Sequence, residues 1–155
     1  MTGDESGQIA GMEAVIFGVL IFVFGTLVLA NAWGVIDAKM AAAGAAREGA
    51  RAFVESQAES GEAARAGAVQ AARDAFAGYR SAAAVPDVRF TPDPPALARC
   101  ARVTVEVRHD VAVISLPLIG RSAGTFTVSA RHSEIVDPYR SGVPGTDQCP
   151  AGIGL

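Results

Sequence analysis

An α+β fold carried by one membrane-crossing helix is predicted by three features of the 155-residue sequence. The first is a run of 23 residues without a charge, Ala14 to Ile36. The second is a pair of helical patterns between residues 37 and 84. The third is an alternation of β-branched and polar residues between residues 85 and 136, the period of strands with one buried face. Together they predict a long N-terminal transmembrane helix continuing into a soluble helix, a second amphipathic helix and a small antiparallel β-sheet of three to four strands.

Residues 1–12 are polar, acidic and glycine-containing, and read as a short tail with no reason to be ordered alone. The membrane segment spans residues 13–36. As a helix rising about 1.5 Å per residue, its uncharged run reaches roughly 34 Å, enough to cross a bilayer with some tilt. Asn31 and Trp33 stand near its far end, where an amphipathic ring suits the headgroup level. Ala30-Asn31-Ala32 is also an A-x-A site, so a cleaved signal peptide that leaves a small secreted domain is an alternative. Against it, no Lys or Arg precedes the run, Asp4, Glu5 and Glu13 do, and the helical pattern continues through Ala32.

Beyond the run, Ile36, Met40, Ala43, Ala46 or Arg47, Ala50, and Phe53 or Val54 recur at spacings of three and four, so one helix is expected to continue to about Glu55. Glu59-Ser60-Gly61-Glu62 interrupts it, with Ser60 and Gly61 suited to end one helix and cap the next. A second stripe, Val69, Ala72, Phe76, Tyr79 and Ala83, ends at Pro86. These extramembrane helices occupy residues 37–84.

In the sheet region, residues 85–136, Val103, Val105 and Val107 alternate with Thr104, Glu106 and Arg108. Phe126, Val128 and Ala130 alternate with Thr127, Ser129 and Arg131. Val111 to Leu116 would lie between these strands and Asp87 to Phe90 at an edge. Residues 137–155 form a turn-rich tail, loose unless Cys149 ties it back near Cys100. Neither cysteine belongs to a CxxC pair or a Cys/His cluster, so zinc is not supported. A disulfide between them is one reading and two unrelated buried thiols the other.

Composition bounds the function. With the membrane segment set aside, about 120 residues remain, room for one core. Half of all residues are apolar but only 6% aromatic, so that core must use small side chains at close backbone approach. The net charge of −3 and a single lysine, Lys39, provide no field to concentrate nucleic acid, and no nucleic-acid partner is expected. Gly120-Arg121-Ser122-Ala123-Gly124 fits G-x-S-x-G, but Ser122 precedes a strand pattern in a domain too small for a hydrolase sheet. His109, Asp110, His132 and Asp137 lie near that motif in sequence; His109-Asp110 and His132-x-Glu134 lack a third metal ligand at defined spacing and are expected at strand ends on the solvated face. No enzymatic activity, cofactor or metal is expected.

Glu13 at the start of the membrane helix, then Ala45-Ala46-Arg47-Glu48-Gly49-Ala50-Arg51, and a small C-terminal β region resemble the TadE-like family of tight-adherence pilus assembly proteins, the pseudopilins or minor pilins. The resemblance covers residues 8–55 closely and the remainder in architecture only. It implies a membrane-anchored subunit that helps assemble a tight-adherence, type IV-like pilus or a related envelope secretion machine. The implied partners are the lipid bilayer, other pilin-like subunits, pilus platform proteins and a prepilin peptidase that cuts after a glycine. Gly7 and Gly11 are the candidate processing positions; Glu13 stands sixth after the one and second after the other, where the family has glutamate fifth. Glu13, Gly18, Gly25, Arg47, Glu48 and Arg51 are the candidate assembly residues. Gly18, Gly25, Ala30 and Gly34 would let neighbouring membrane helices approach closely.

The flanking charges, Lys39, Arg47 and Arg51 against none before the run, favour a cytoplasmic domain by the positive-inside rule. The resemblance and the cysteine pair favour an extracytoplasmic one, which is the expected orientation. A membrane-anchored extracytoplasmic binding module is the alternative function.

Overall fold

The structure, a computed structural model, describes residues 6–79, 85–112 and 124–149, with side chains from Glu13 onward. It is α+β: helices α1 (Ser6–Val54) and α2 (Gly61–Tyr79), then strands β1 (Asp87–Thr91), β2 (Arg102–Ala112) and β3 (Thr125–Ile135). Two compact units are present, Met1–Gly34 and Val35–Leu155.

In the first unit, α1 starts at Ser6, so residues 6–12, expected in the polar tail, are helical. Once the uncharged run forms a helix, each preceding residue joins at the gain of one hydrogen bond and without a new nucleation cost. Thr26 and Asn31 return their side chains to the Phe22 and Leu27 carbonyls four residues back, which satisfies both polar groups within the helix. From Val15 to Leu29 the large apolar side chains of this unit are exposed, save the half-buried Leu27. The helix is long and apolar enough to cross a membrane.

The second unit packs the rest of α1 and α2 against one face of an antiparallel sheet ordered β1-β2-β3. Asp87–Phe90 does form an edge strand, paired from Asp87 with Arg108 to Thr91 with Thr104. β2 pairs with β3 from Arg102 with Ile135 to Ala112 with Thr125. Of the expected intervening strand, Val111 and Ala112 complete β2 and the remainder lies outside the described residues. Val103, Val105 and Val107 are buried, as their alternation predicts.

The buried face of α1 differs from the predicted stripe. Ala46, Ala50 and Phe53 point inward as expected, joined by Ala38, Ala41, Ala42 and Ala45, whereas Ile36 and Met40 are exposed. The periodicity argument follows the bulky residues, but small ones win the inner face because the sheet and α2 come so near. A Cβ built on Gly49 would lie 3.0 Å from the Ala72 Cβ and 3.4 Å from Val105 Cγ1. In α2 the buried set is Ala64, Ala68, Ala72 and Phe76, spaced by four. Tyr79 is exposed and lays its ring over Gly44, 3.2 Å from a Cβ built there, while Val69 is only partly buried. Ala83 lies outside the described residues. Large rings occupy the ends of the core: Phe53 and Phe90 have centroids 5.8 Å apart, and Phe53 and Phe76 are fully buried, each contributing roughly 1.5–3 kcal/mol.

Ser60 caps α2 as predicted, its hydroxyl oxygen accepting from the Ala63 amide at 3.2 Å. Gly61 follows because the 92–97 segment runs across it: an added Cβ would meet the Pro95 carbonyl oxygen at 2.5 Å.

These contacts separate the glycines. Gly61→Ala and Gly49→Ala should lower the thermal midpoint of the detergent-solubilised protein, through overpacking that costs about 1–3 kcal/mol. Gly67→Ala, in a helix interior with nothing within 4 Å, should raise it, through a stability gain of about 0.5–1 kcal/mol. A Gly61→Ala protein as stable as the parent would contradict the described approach of Pro95.

Candidate functional site

Helix geometry sorts the Ala45–Arg51 motif into two faces. Ala45, Ala46, Gly49 and Ala50 are buried against α2 and the sheet, while Arg47, Glu48 and Arg51 face outward. Arg51 Nε donates to Glu55 Oε1 at 3.0 Å, an exposed pair one turn apart. Among the described residues Arg47 and Glu48 have no hydrogen-bond or ion-pair partner. With Gly44, Ala71, Asp74 and Tyr79 they line an open groove between α1 and α2. Arg47, Glu48 and Arg51 are therefore brought together on one helix surface. Glu13, Gly18 and Gly25 belong to the other unit. Glu13 is exposed, and the helix surface beside Gly18 and Gly25 is open, with nothing within 4 Å of a Cβ built at either. Gly7 and Gly11 lie within the first turns of α1.

The outer face of the sheet is polar except at its ends, where Ala112 and Ile135 share that side. In register across the three strands stand Arg89, Glu106 and Arg131, with Asp87 beside Arg108. Glu106 accepts from Arg108 Nε at 2.9 Å and from Arg131 at 3.2 Å, and its side chain is only 13% exposed. The hydrogen bond from Arg108 is the chief reason its carboxyl sits below the ordinary carboxylate range; Arg131 adds to this and partial burial opposes it. Thr127 donates to Asp110 at 2.6 Å, and the Thr104 and Ser133 hydroxyls meet at 2.8 Å.

The histidines are not placed as predicted. His109 shares the inward parity of Val105 and Val107, and its ring packs on Phe76 with centroids 5.0 Å apart. His132 pairs with Glu134 at 3.2 Å on the inward side of β3, half-buried, and Asp137 accepts from the Tyr139 amide at 2.7 Å in a turn. Among the described residues no three of His, Cys, Asp and Glu gather in a metal-holding group. Ser122 lies outside the described residues, while Gly124, before β3, has φ 105°, which only glycine adopts without strain.

Cys100 and Cys149 form a disulfide, with Cα atoms 5.3 Å apart across a separation of 49 residues. On the chain-entropy account, closing such a loop contributes about 4 kcal/mol. The segment it retains is also held by Arg140, whose guanidinium donates to the Val54 and Ser56 carbonyls and so caps the C-terminal end of α1. Arg99 Nε donates to the Arg140 carbonyl at 2.8 Å, and the Arg99 amide to the Pro144 carbonyl at 2.8 Å. Sequence reasoning missed Arg140, since a lone arginine in a turn carries no periodic signal. It could have found the Glu106–Arg108 pair, because residues two apart in a strand share a face.

Compared with known proteins, the chain matches no family model, no curated protein and no solved structure. The fold and its surfaces define a class: an α+β unit on a helix of membrane-crossing length and composition.

The Glu106 pairing sets a pH dependence. A carboxyl lowered in the folded state stabilises the fold above the ordinary glutamate pKa, and this contribution is lost as the pH falls through the lowered value. Glu106→Gln should therefore be less stable than the parent near neutrality, and the gap should close on acidification. Urea midpoints from about pH 7 to pH 2 test this; a gap that does not change with pH would remove Glu106 as its source.

Proposed function

We propose that this protein is a membrane-anchored, TadE-like minor pilin or pseudopilin that takes part in assembling a tight-adherence pilus or a related envelope machine. The observation that carries the reading is the two-faced motif on α1. Its small residues are spent on the fold, and Arg47, Glu48 and Arg51 stand on the outer surface, Arg47 and Glu48 without a hydrogen bond or ion pair among the described residues. In a protein whose only task was to fold, such charges would be replaceable; as assembly residues they are contacts for a neighbouring subunit. The open helix surface beside Gly18 and Gly25 supports lateral packing in the membrane, where close backbone approach replaces the hydrophobic effect as the driving force.

In this reading α1 anchors the chain and residues from Val35 onward lie outside the cytoplasm, which the Cys100–Cys149 disulfide supports, since such bonds persist in oxidising compartments. Glu13 supplies the register. An ionised group well inside a bilayer costs roughly 2.5–3.5 kcal/mol, so a carboxylate at the edge of the apolar run gains from an opposite charge. The N-terminal amine of a neighbouring subunit is that charge.

Two experiments test this. In intact spheroplasts, a membrane-impermeant maleimide should label the cysteines only after an impermeant reductant has opened the disulfide; free thiols reachable only after lysis would reverse the orientation. In a pull-down from membranes, Glu13→Ala and Glu13→Gln should both insert normally and both lose pilin-like partners and platform proteins. Retention of partners by the Gln variant would assign Glu13 to marking the helix start, where an acidic residue also suits the helix dipole.

A further inference from the structure

Within the Val35–Leu155 unit, β2 and α1 run in opposite directions. Gly49 of α1 lies beside Val105, while Ala38 and Val35 lie beside Val111 and Val128 in a small apolar cluster of their own. The two spacings agree: eleven residues of helix from Ala38 to Gly49 cover about 16 Å, and six residues of strand from Val105 to Val111 cover about 20 Å. The strand pair thus reaches the level of Val35 and goes one residue beyond, to Ala112 paired with Thr125. Val35 and Ile36 are also the last two residues of the uncharged run, with Asp37 the first charge after it. This end of the sheet therefore stands level with the last two residues of the uncharged run, Val35 and Ile36.

The side chains there do not suit water. Phe126, the register partner of Val111, lies on the inward side of β3 yet is 61% exposed, beyond the reach of the core. Ile36 is 54% exposed. An exposed phenylalanine at the level where an apolar helix enters a bilayer has an apolar medium at hand. We infer that the Val35/Val111/Phe126 end of the unit is a second membrane contact, with Phe126 seated in the headgroup and upper acyl region of the lipid surface. The occupant is lipid because the contact is continuous with the apolar run. Among the described charged groups at this end, the Lys39 ammonium donates to the Ser129 carbonyl and Asp110 accepts from Thr127, while Asp37 follows the apolar run directly, at the level of the headgroups. This inference requires α1 to cross the membrane and does not depend on pilus assembly.

Trp33 is the only tryptophan, which makes the test direct. The full-length protein is placed in vesicles of phosphatidylethanolamine and phosphatidylglycerol containing acyl-brominated phosphatidylcholine. Three single-tryptophan forms are compared: the parent, Trp33→Phe with Phe126→Trp, and Trp33→Phe with Tyr139→Trp. Tyr139 is exposed at the opposite end of the unit, beside Arg140 and the C-terminus of α1. The tryptophan at 126 should emit at shorter wavelength than that at 139 and be quenched at least about twofold more strongly, as an interfacial ring would be. Water-like emission at 126, or quenching no greater than at 139, overturns the contact. Quenching of Trp33 in the parent shows separately that the anchor is in the bilayer, so failure of the contact and failure of the membrane reading give different results.

Discussion

The fold rests on a close approach between one helix face and one sheet face, made possible by the near absence of side chain at the contact. Where α1 passes Ala72 and Val105, Gly49 leaves only enough room for a hydrogen, and Ala41, Ala42, Ala45, Ala46 and Ala50 extend the seam along the helix. Such a contact gains little from any one residue, since an alanine buries only a methyl group. Its strength comes from many atoms at van der Waals distance and from backbone surfaces that fit without large side chains between them. A core of this type tolerates deletion poorly and enlargement worse. Phenylalanines at 53, 76 and 90 close the ends where the elements diverge.

Because the inner face of α1 is filled by alanine and glycine, the charged residues of the same turns are freed from structural work. Arg47 and Glu48 directly precede the tightly packed Gly49 and yet lie outside the core. The sheet divides its labour in the same way. The inner side of its central strand is lined by Val103, Val105 and Val107, and its outer side is a ladder in which Glu106 is bracketed by two arginines. Surface pairs of this kind are worth little singly, and here the two arginines share one largely shielded carboxylate.

Some of this was readable in the sequence because the signals are local. A run without charge needs no partner to be recognised, and the period-two valines of β2 announce their face whatever they pack against. Asp87–Phe90 was recognisable as an edge strand by its brevity and its distance from the central pair. The inner face of α1 was not readable, because an alanine is buried or exposed according to what approaches it, and Ile36 and Met40 drew the periodicity argument toward the wrong side. His109 followed the parity of its valine neighbours despite its polarity, since Phe76 offers its ring a stacking partner. Arg140 depended on a turn bringing it 86 residues back along the chain to the Val54 carbonyl, a separation that no window analysis spans.

The capping of α1 by Arg140 and the closure of the Cys100–Cys149 loop involve the same short segment, and this makes them thermodynamic partners. A cross-link that keeps residues 137–149 near the sheet raises the effective concentration of the guanidinium at the helix terminus, so the cap forms at a smaller loss of chain entropy. Reciprocity then requires the cap to favour the cross-link by the same factor. Order at the end of a long helix is in this way linked to the oxidation state of two sulfur atoms distant from it in sequence.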